Sequence, residues 1–325
     1  MEKERIHVVY CGDVNYVPML GISMTSVIWN NPEERLAFHL LVDDIHKQDL
    51  AKLQKMLQLY RNVESIQVHR IPADSPELAV FCSVKSSYAA AVNYRLLLPK
   101  ILGTEVRRVL YLDGDVICCA SLAELQQTDL SGILAAGVPD PLEAMHKKRM
   151  RLEHYVNSGV LLINLELWRS QDILGQLISF YQKNEQLGYP DQDAINTVCQ
   201  KHLMLLPQRW NYPVSCNFTT EGRSNEIAPD AVFCHFLGPI TKPWYVTCLD
   251  IRAELWRSYR ARSFWYGMAL NGSGTKIEDE MRVITRMFED GDGQAAYQRY
   301  RALIRGRDPR FEPIVLKQHG WKQKN

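Results

Sequence analysis

The chain has 325 residues, 46% of them apolar, and a formal net charge of +1; this is an ordinary globular composition, long enough for one large α/β domain plus an appendage or for two domains. A balance so near neutrality leaves no polyanion footprint, so nucleic acid is not an expected partner, and no apolar run approaches the ~20 residues that span a bilayer. The charged start, Met1-Glu2-Lys3-Glu4-Arg5, argues against a secretory signal, and eight cysteines without a C-x-x-C pair argue for a reducing cytoplasm rather than a zinc site or disulfide framework.

Residues 6–10 read as a first strand, followed by the acidic and aromatic turn Cys11-Gly12-Asp13-Val14-Asn15-Tyr16, which suits a base and ribose better than a pyrophosphate. Leu20, Met24, Val27 and Ile28 then repeat at helical spacing as far as Asn30-Asn31-Pro32. Residues 36–42 form a second apolar strand, and Asp43 and Asp44 are candidate caps for a helix carrying Leu50, Leu53, Leu57 and Tyr60 on one face. A third strand is expected at 65–69, a helix at 88–98, and further buried strands at 109–112, 133–138 and 160–163. Such alternation predicts a mainly parallel sheet covered on both faces. Its ligands would bind beyond the carboxyl ends of the strands. Neither G-x-G-x-x-G nor G-x-x-x-x-G-K-[ST] is present, which counts against an NAD(P) enzyme and a P-loop NTPase.

Asp113-Gly114-Asp115 closes the apolar run Val109-Leu110-Tyr111-Leu112. Side chains two residues apart on an extended segment share a face, so both carboxylates can reach one ligand. Hard oxygen donors of this kind suit Mg²⁺ or Mn²⁺. Asp-Gly is also a favoured hairpin turn, but both flanks are continuous apolar runs rather than alternating ones. Four more segments stand out: Tyr94-Arg95; Asn157-Ser158-Gly159 ahead of strand 160–163; Asp191-Gln192-Asp193 opening a helix after Tyr189-Pro190; and His235-Phe236-Leu237-Gly238 with Lys242-Pro243-Trp244. Each has a plainer reading. Asp13 can make an Asx turn, Asp191 can be a helix N-cap, His235 can be a core histidine and Lys242 a solvated loop residue. After about Thr247 arginines 252, 257, 260 and 262 interleave with Trp256, Tyr259, Phe264, Trp265 and Tyr266; Asn271-Gly272-Ser273-Gly274 reads as a flexible break. Residues 297–325 carry eight Lys/Arg against Asp308 and Glu312.

Taken together, V-L-Y-L-D-G-D-V, N-S-G-V-L-L-I-N-L-E-L-W-R, D-Q-D-A-I-N and H-F-L-G-P-I-T-K-P-W resemble glycosyltransferase family 8, especially its bacterial lipopolysaccharide core galactosyl- and glucosyltransferases. The pieces fall in the family's order over residues 6–245. The resemblance implies a Rossmann-like, nucleotide-sugar-binding α/β domain of GT-A type over 1–246, with a helical, basic and aromatic C-terminal appendage at 247–325. It further implies hexose transfer, with retention, from UDP-galactose or UDP-glucose, and Mn²⁺ (or Mg²⁺) held by Asp113, Asp115 and His235. Asp13, Asn15 and Tyr16 would surround uracil and ribose. Gly238 and Lys242 would meet the diphosphate, although three residues separate them here where the family pattern commonly has two. Arg95, Asn157, Asp191 and Gln192, with Asp140 as a further candidate, would surround the hexose.

Retaining glycosidases use two carboxylates about 5 Å apart, whereas the resemblance puts Gln192, a poor nucleophile, at the anomeric carbon, so front-face transfer is expected. The implied partners are a nucleotide-sugar donor, a lipid-linked glycan acceptor and an anionic membrane surface met by the C-terminal region, with the protein peripheral on the cytoplasmic side. Alternatively, that region is a packed helical appendage with solvated charges. Two other functions share these features: a same-fold glycosyltransferase acting on a protein or non-lipid glycan, and a catalytically silent UDP-sugar-binding module. A sugar-1-phosphate nucleotidylyltransferase is disfavoured, because the N-terminus lacks a glycine-rich, lysine-bearing loop.

Overall fold

The computed structural model describes residues 4–86, 88–214, 226–238 and 242–305. The described residues form ten strands: β1 (Ile6–Gly12), β2 (Leu36–Val42), β3 (Val63–Arg70), β4 (Arg108–Leu112), β5 (Val116–Cys118), β6 (Ala135–Pro139), β7 (Val156–Asn164), β8 (Leu203–Leu205), β9 (Tyr212–Val214) and β10 (Phe233–Phe236). Seven of them form one sheet in the order β3-β2-β1-β4-β7-β6-β8, and β5-β10-β9 form a second. The pairs of β1 with β2 and β4, of β2 with β3, and of β6 with β8 are parallel; β7 runs antiparallel to β4 and β6. The fold is α/β with a mainly parallel sheet, as the apolar runs require.

Contact density divides the chain into two compact units, residues 1–212 with 230–233, and residues 213–229 with 234–325. In the first, Val9, Cys11, Leu41, Tyr111, Leu161 and Ile163 from one face of the large sheet bury against Tyr94, Trp168, Leu177, Tyr181 and Ile195. The helix Val17–Asn30 is buried along nearly its whole length, and its Ser23 hydroxyl donates to the Val116 carbonyl at 2.5 Å. In the second unit, helices Lys276–Glu289 and Gly293–Arg305 pack through Met281, Ile284, Phe288, Ala296, Tyr300 and Ile304. Trp244 lies 5.7 Å from Trp256 on the helix Ala253–Arg262, and Trp256 and Trp265 are buried while Tyr266 is exposed. No helix among the described residues is long and apolar enough to cross a membrane.

The helix expected at 88–98 is present as a 3-10 helix over residues 90–97; Pro99 has no N–H to return to the Arg95 carbonyl, which takes the N–H of Leu98 instead. Other local expectations are corrected. Neither Asp43 nor Asp44 caps the helix Lys47–Leu59, whose N-cap is His46. Their carboxylates accept from the N–H groups of Asp44 and Ile45 within the preceding turn. Asn271-Gly272-Ser273-Gly274 is a tied turn, with Asn271 bonded to the Trp244 carbonyl and the Val246 N–H, and Gly272 and Gly274 in the left-handed region.

Three imidazoles cross the amino-terminal half of the sheet. His7 Nδ1 lies 3.0 Å from His39 Nε2, and His39 Nδ1 lies 3.1 Å from His69 Nε2. Burial lowers all three pKa values, that of His39 to about 3, with the neighbouring imidazoles adding to the shift of His39. A base whose folded pKa is depressed binds fewer protons folded than unfolded, so stability is lost as pH falls below 6.5 and continues to fall towards 3. At pH 5 the His39 contribution is about 2 kcal/mol. His39→Gln should therefore flatten the loss of urea stability between pH 7 and pH 5 by about that amount; parallel curves for the two proteins would refute it.

Candidate functional site

Strand order reverses between β1 and β4, and at such a switch point the carboxyl ends leave a crevice. The register pairs Val8 with Leu110 and Val9 with Tyr111, so the turn after Gly12 lies level with Asp113-Gly114-Asp115. Asp113-Gly114-Asp115 is not a hairpin, because β4 and β5 belong to different sheets. The glycine lets side chains close over it: a Cβ on Gly114 would lie 2.6 Å from Tyr16 Cε1 and 2.6 Å from Leu20 Cδ2, so one of these side chains would have to shift. Asp13 makes the Asx turn, its Oδ1 accepting from the N–H of Asn15 at 2.9 Å and of Tyr16 at 3.0 Å. That turn holds the Tyr16 ring against Gly114, while Asn15 is exposed.

Because β7 runs antiparallel to β4, its beginning meets the end of β4. Asn157, Ser158 and Gly159 are thus inside the strand rather than ahead of it, and Asp113 N–H donates to the Gly159 carbonyl at 2.8 Å. The same antiparallel run brings in Arg95. Its guanidinium donates to Asp113 Oδ1 at 2.8 Å, to the Ser158 carbonyl at 2.9 Å and to the Val92 carbonyl at 3.0 Å, and lies 3.2 Å from Asp191 Oδ2. It also stacks 4.1 Å above the Tyr111 ring, and the Tyr111 hydroxyl donates to Asp113 Oδ1 at 2.6 Å. Burial opposes the Arg95 charge, but Asp113 and Asp191 outweigh it and hold its pKa well above the ordinary value. Burial likewise raises the Asp191 pKa, with Arg95 opposing.

Asp191 is not the helix N-cap. Tyr189 takes that place before Pro190–Cys199, so Asp191 lies in the first turn and accepts from the Ser158 hydroxyl at 2.9 Å. Gln192 is oriented unambiguously: Ser158 N–H can only donate, so Gln192 Oε1 accepts from it at 2.9 Å, and Nε2 donates to Asp140 Oδ2 at 3.2 Å. Asn157 Nδ2 reaches the same Asp140 oxygen at 3.0 Å. Asn157 Oδ1 accepts from Gly159 N–H and from Asn211 Nδ2, each at 3.0 Å. Arg95, Asp113, Asp140, Asn157, Asp191 and Gln192 therefore form one hydrogen-bonded network with Ser158 at its centre. The sequence assigns no role to Ser158, Tyr111 or Asn211; the signal for Ser158 is its place in Asn157-Ser158-Gly159, a segment expected just ahead of the strand at 160–163.

His235 is buried on β10. Asp113, Asp115 and His235 each offer one ligand atom, and these atoms all lie within 4.8 Å of one another. Two carboxylate oxygens and one imidazole nitrogen make a donor set that fits a hard divalent cation such as Mn²⁺ or Mg²⁺. After β10, Gly238 has φ +92°, which a side chain would strain. Lys242 Nζ donates to the Phe236 carbonyl at 2.6 Å; residues 239–241, where the extra loop residue falls, lie outside the described residues.

A family model described as glycosyl transferase family 8 matches residues 7–248. A lipopolysaccharide 1,2-glucosyltransferase of Escherichia coli K12 is 30% identical over 74% of this chain and 73% of its own length. A lipopolysaccharide 1,3-galactosyltransferase of Salmonella typhimurium is 27% identical over 75% of this chain and 74% of its own. Among solved structures, the galactosyltransferase LgtC, in complex with donor and acceptor sugar analogs, superposes with a TM-score of 0.66 at 26% identity. That superposition covers 81% of this chain and 99% of LgtC.

Proposed function

The chain belongs to glycosyl transferase family 8, and on that premise we propose that it moves glucose or galactose from a UDP-sugar to a lipopolysaccharide core sugar, with retention and with Mn²⁺. The observation that carries the reading is the cluster of Asp113, Asp115 and His235, whose ligand atoms lie within 4.8 Å of one another, on a chain similar to lipopolysaccharide glucosyl- and galactosyltransferases. When bound, the cation would screen the charge that builds on the diphosphate as the sugar–phosphate bond breaks, acting as a Lewis acid.

The chain's own groups then divide the remaining work. Tyr16 would stack on uracil, with Asp13 and Asn15 at ribose and ring N–H groups. Gly238 would allow close backbone approach to the diphosphate and Lys242 would add a positive charge there. Arg95, Asp140, Asn157, Asp191 and Gln192 would fix the hexose. The Gln192 carbonyl oxygen is engaged by the Ser158 N–H and Asp191 is paired with Arg95, which supports transfer on the front face, the departing phosphate oxygen taking the acceptor proton. Preorganised charge around the diphosphate would supply most of the rate. In this reading residues 1–246 are catalytic. The basic, aromatic region 247–325 meets anionic lipid on the cytoplasmic side, where the lipid-linked acceptor would be presented; residues 306–325 lie outside the described ones.

A donor screen with the full chain, Mn²⁺ and lipopolysaccharide from a strain lacking outer core tests the proposal. Turnover of UDP-glucose or UDP-galactose, lost on chelation, is expected. Turnover only with a protein or non-lipid glycan acceptor would select the same-fold alternative. UDP-sugar binding with neither transfer nor slow hydrolysis would select the silent module.

A further inference from the structure

Next to Gln192, Asp193 is fully buried. It accepts two hydrogen bonds from Arg149, Nη1 to Oδ2 at 2.9 Å and Nη2 to Oδ1 at 2.6 Å. It also accepts from the Tyr155 hydroxyl and, at 3.3 Å, from the Tyr189 N–H. Arg149 belongs to another element, the helix Glu143–Met150, which is joined to Asp140 by the bonds of Leu142 N–H to Asp140 Oδ1 and Glu143 N–H to the Asp140 carbonyl. On the same helix His146 is buried, stacked 4.6 Å from Tyr155 and edge-on to Tyr189 at 4.7 Å. Its Nδ1 lies 3.2 Å from Arg149 Nη2, and its Nε2 lies 3.6 Å from Asp140 Oδ1. Arg149 can only donate, so Nδ1 accepts and the ring proton of the neutral imidazole is left on Nε2, facing Asp140.

A continuous chain of groups thus runs from Asp140 through His146 and Arg149 to Asp193, behind the contact of Gln192 with Asp140. We infer that Asp193, Arg149 and His146 are positioning residues: they clamp the segment carrying Asp140 to the helix start carrying Gln192, and so set the geometry of the two groups at the transferred sugar. The inference rests on the transferase reading above for its kinetic consequence, not for its structural one. The paired geometry gives the reason: a bidentate Arg–carboxylate fork fixes both distance and plane, which a single point charge does not. Misplacement of a catalytic group by about 1 Å is enough to cost roughly 10²-fold in rate.

The test uses Arg149→Met and the milder Arg149→Lys in the full chain. Expected are a fall in kcat of about 10–100-fold for Met and a smaller one for Lys, with Mn²⁺-dependent UDP affinity within about 2-fold of the parent. Crystals of the Met variant should show the Gln192 amide withdrawn from Asp140. Unchanged kcat with Gln192 in place would overturn the inference. So would an equal loss of kcat and UDP affinity in both variants, which marks a merely structural role. Were the parent protein to turn over no UDP-hexose, the transferase reading would fall, and the position of Gln192 in the variant crystals would still decide the clamp.

Discussion

Asp115→Ala should abolish Mn²⁺-dependent UDP binding and lower turnover by at least about 10²–10³-fold, the scale set by removing one preorganised electrostatic partner of a developing negative charge. Asp115 is one of three groups whose ligand atoms cluster within 4.8 Å. A hard divalent cation that loses one of its protein oxygens must take water in its place, and the site loses both affinity and geometry. The bonds of Asp113 to Arg95, Tyr111 and Gly159 hold the turn independently of Asp115, so the fold should survive. Calorimetric titration of UDP with and without Mn²⁺, beside a urea melt, separates the two effects. An unaltered metal dependence in the variant would remove Asp115 from the cation site.

Arg95→Met should act on stability as well as activity. The guanidinium is buried and serves Asp113, Asp191 and the carbonyls of Ser158 and Val92 at once. Without it two neighbouring carboxylates, one of them almost fully enclosed, lose the guanidinium that pairs with both. Removing one partner of a buried ion pair costs about 3–5 kcal/mol, and the urea midpoint should fall accordingly. Arg95→Lys should recover only part, since one ammonium cannot span acceptors that lie around a planar fork. A loss below about 1 kcal/mol for the methionine variant would show that Asp113 and Asp191 need no such partner.

The D-G-D turn was legible because its information is local. A continuous apolar run predicts a buried strand, and two carboxylates one residue apart at its end supply oxygen donors that suit a hard cation. The paired reading of Asp13 as an Asx turn was equally local, and it proved compatible with a place beside the site, since the turn is what holds Tyr16 over Gly114. Capping was less readable. Asp43, Asp44 and Asp191 are all good cap residues by type, yet His46 and Tyr189 take the caps. The three carboxylates have partners that compete for them: turn amides in two cases, Arg95 and Ser158 in the third.

The sequence by itself determined the class of fold, the strand runs and the residue types able to hold a cation. It did so because burial on both sheet faces demands continuous apolar strands, and metal chemistry demands particular donor atoms. Only the tertiary structure decided that β7 runs against β4, and with it that Ser158 bridges Arg95, Asp191 and Gln192. The Arg149–Asp193 clamp was decided there too. Strand direction and long-range pairing depend on how whole elements bury one another, and the residues they bring together are separated by tens of positions with no periodicity to join them.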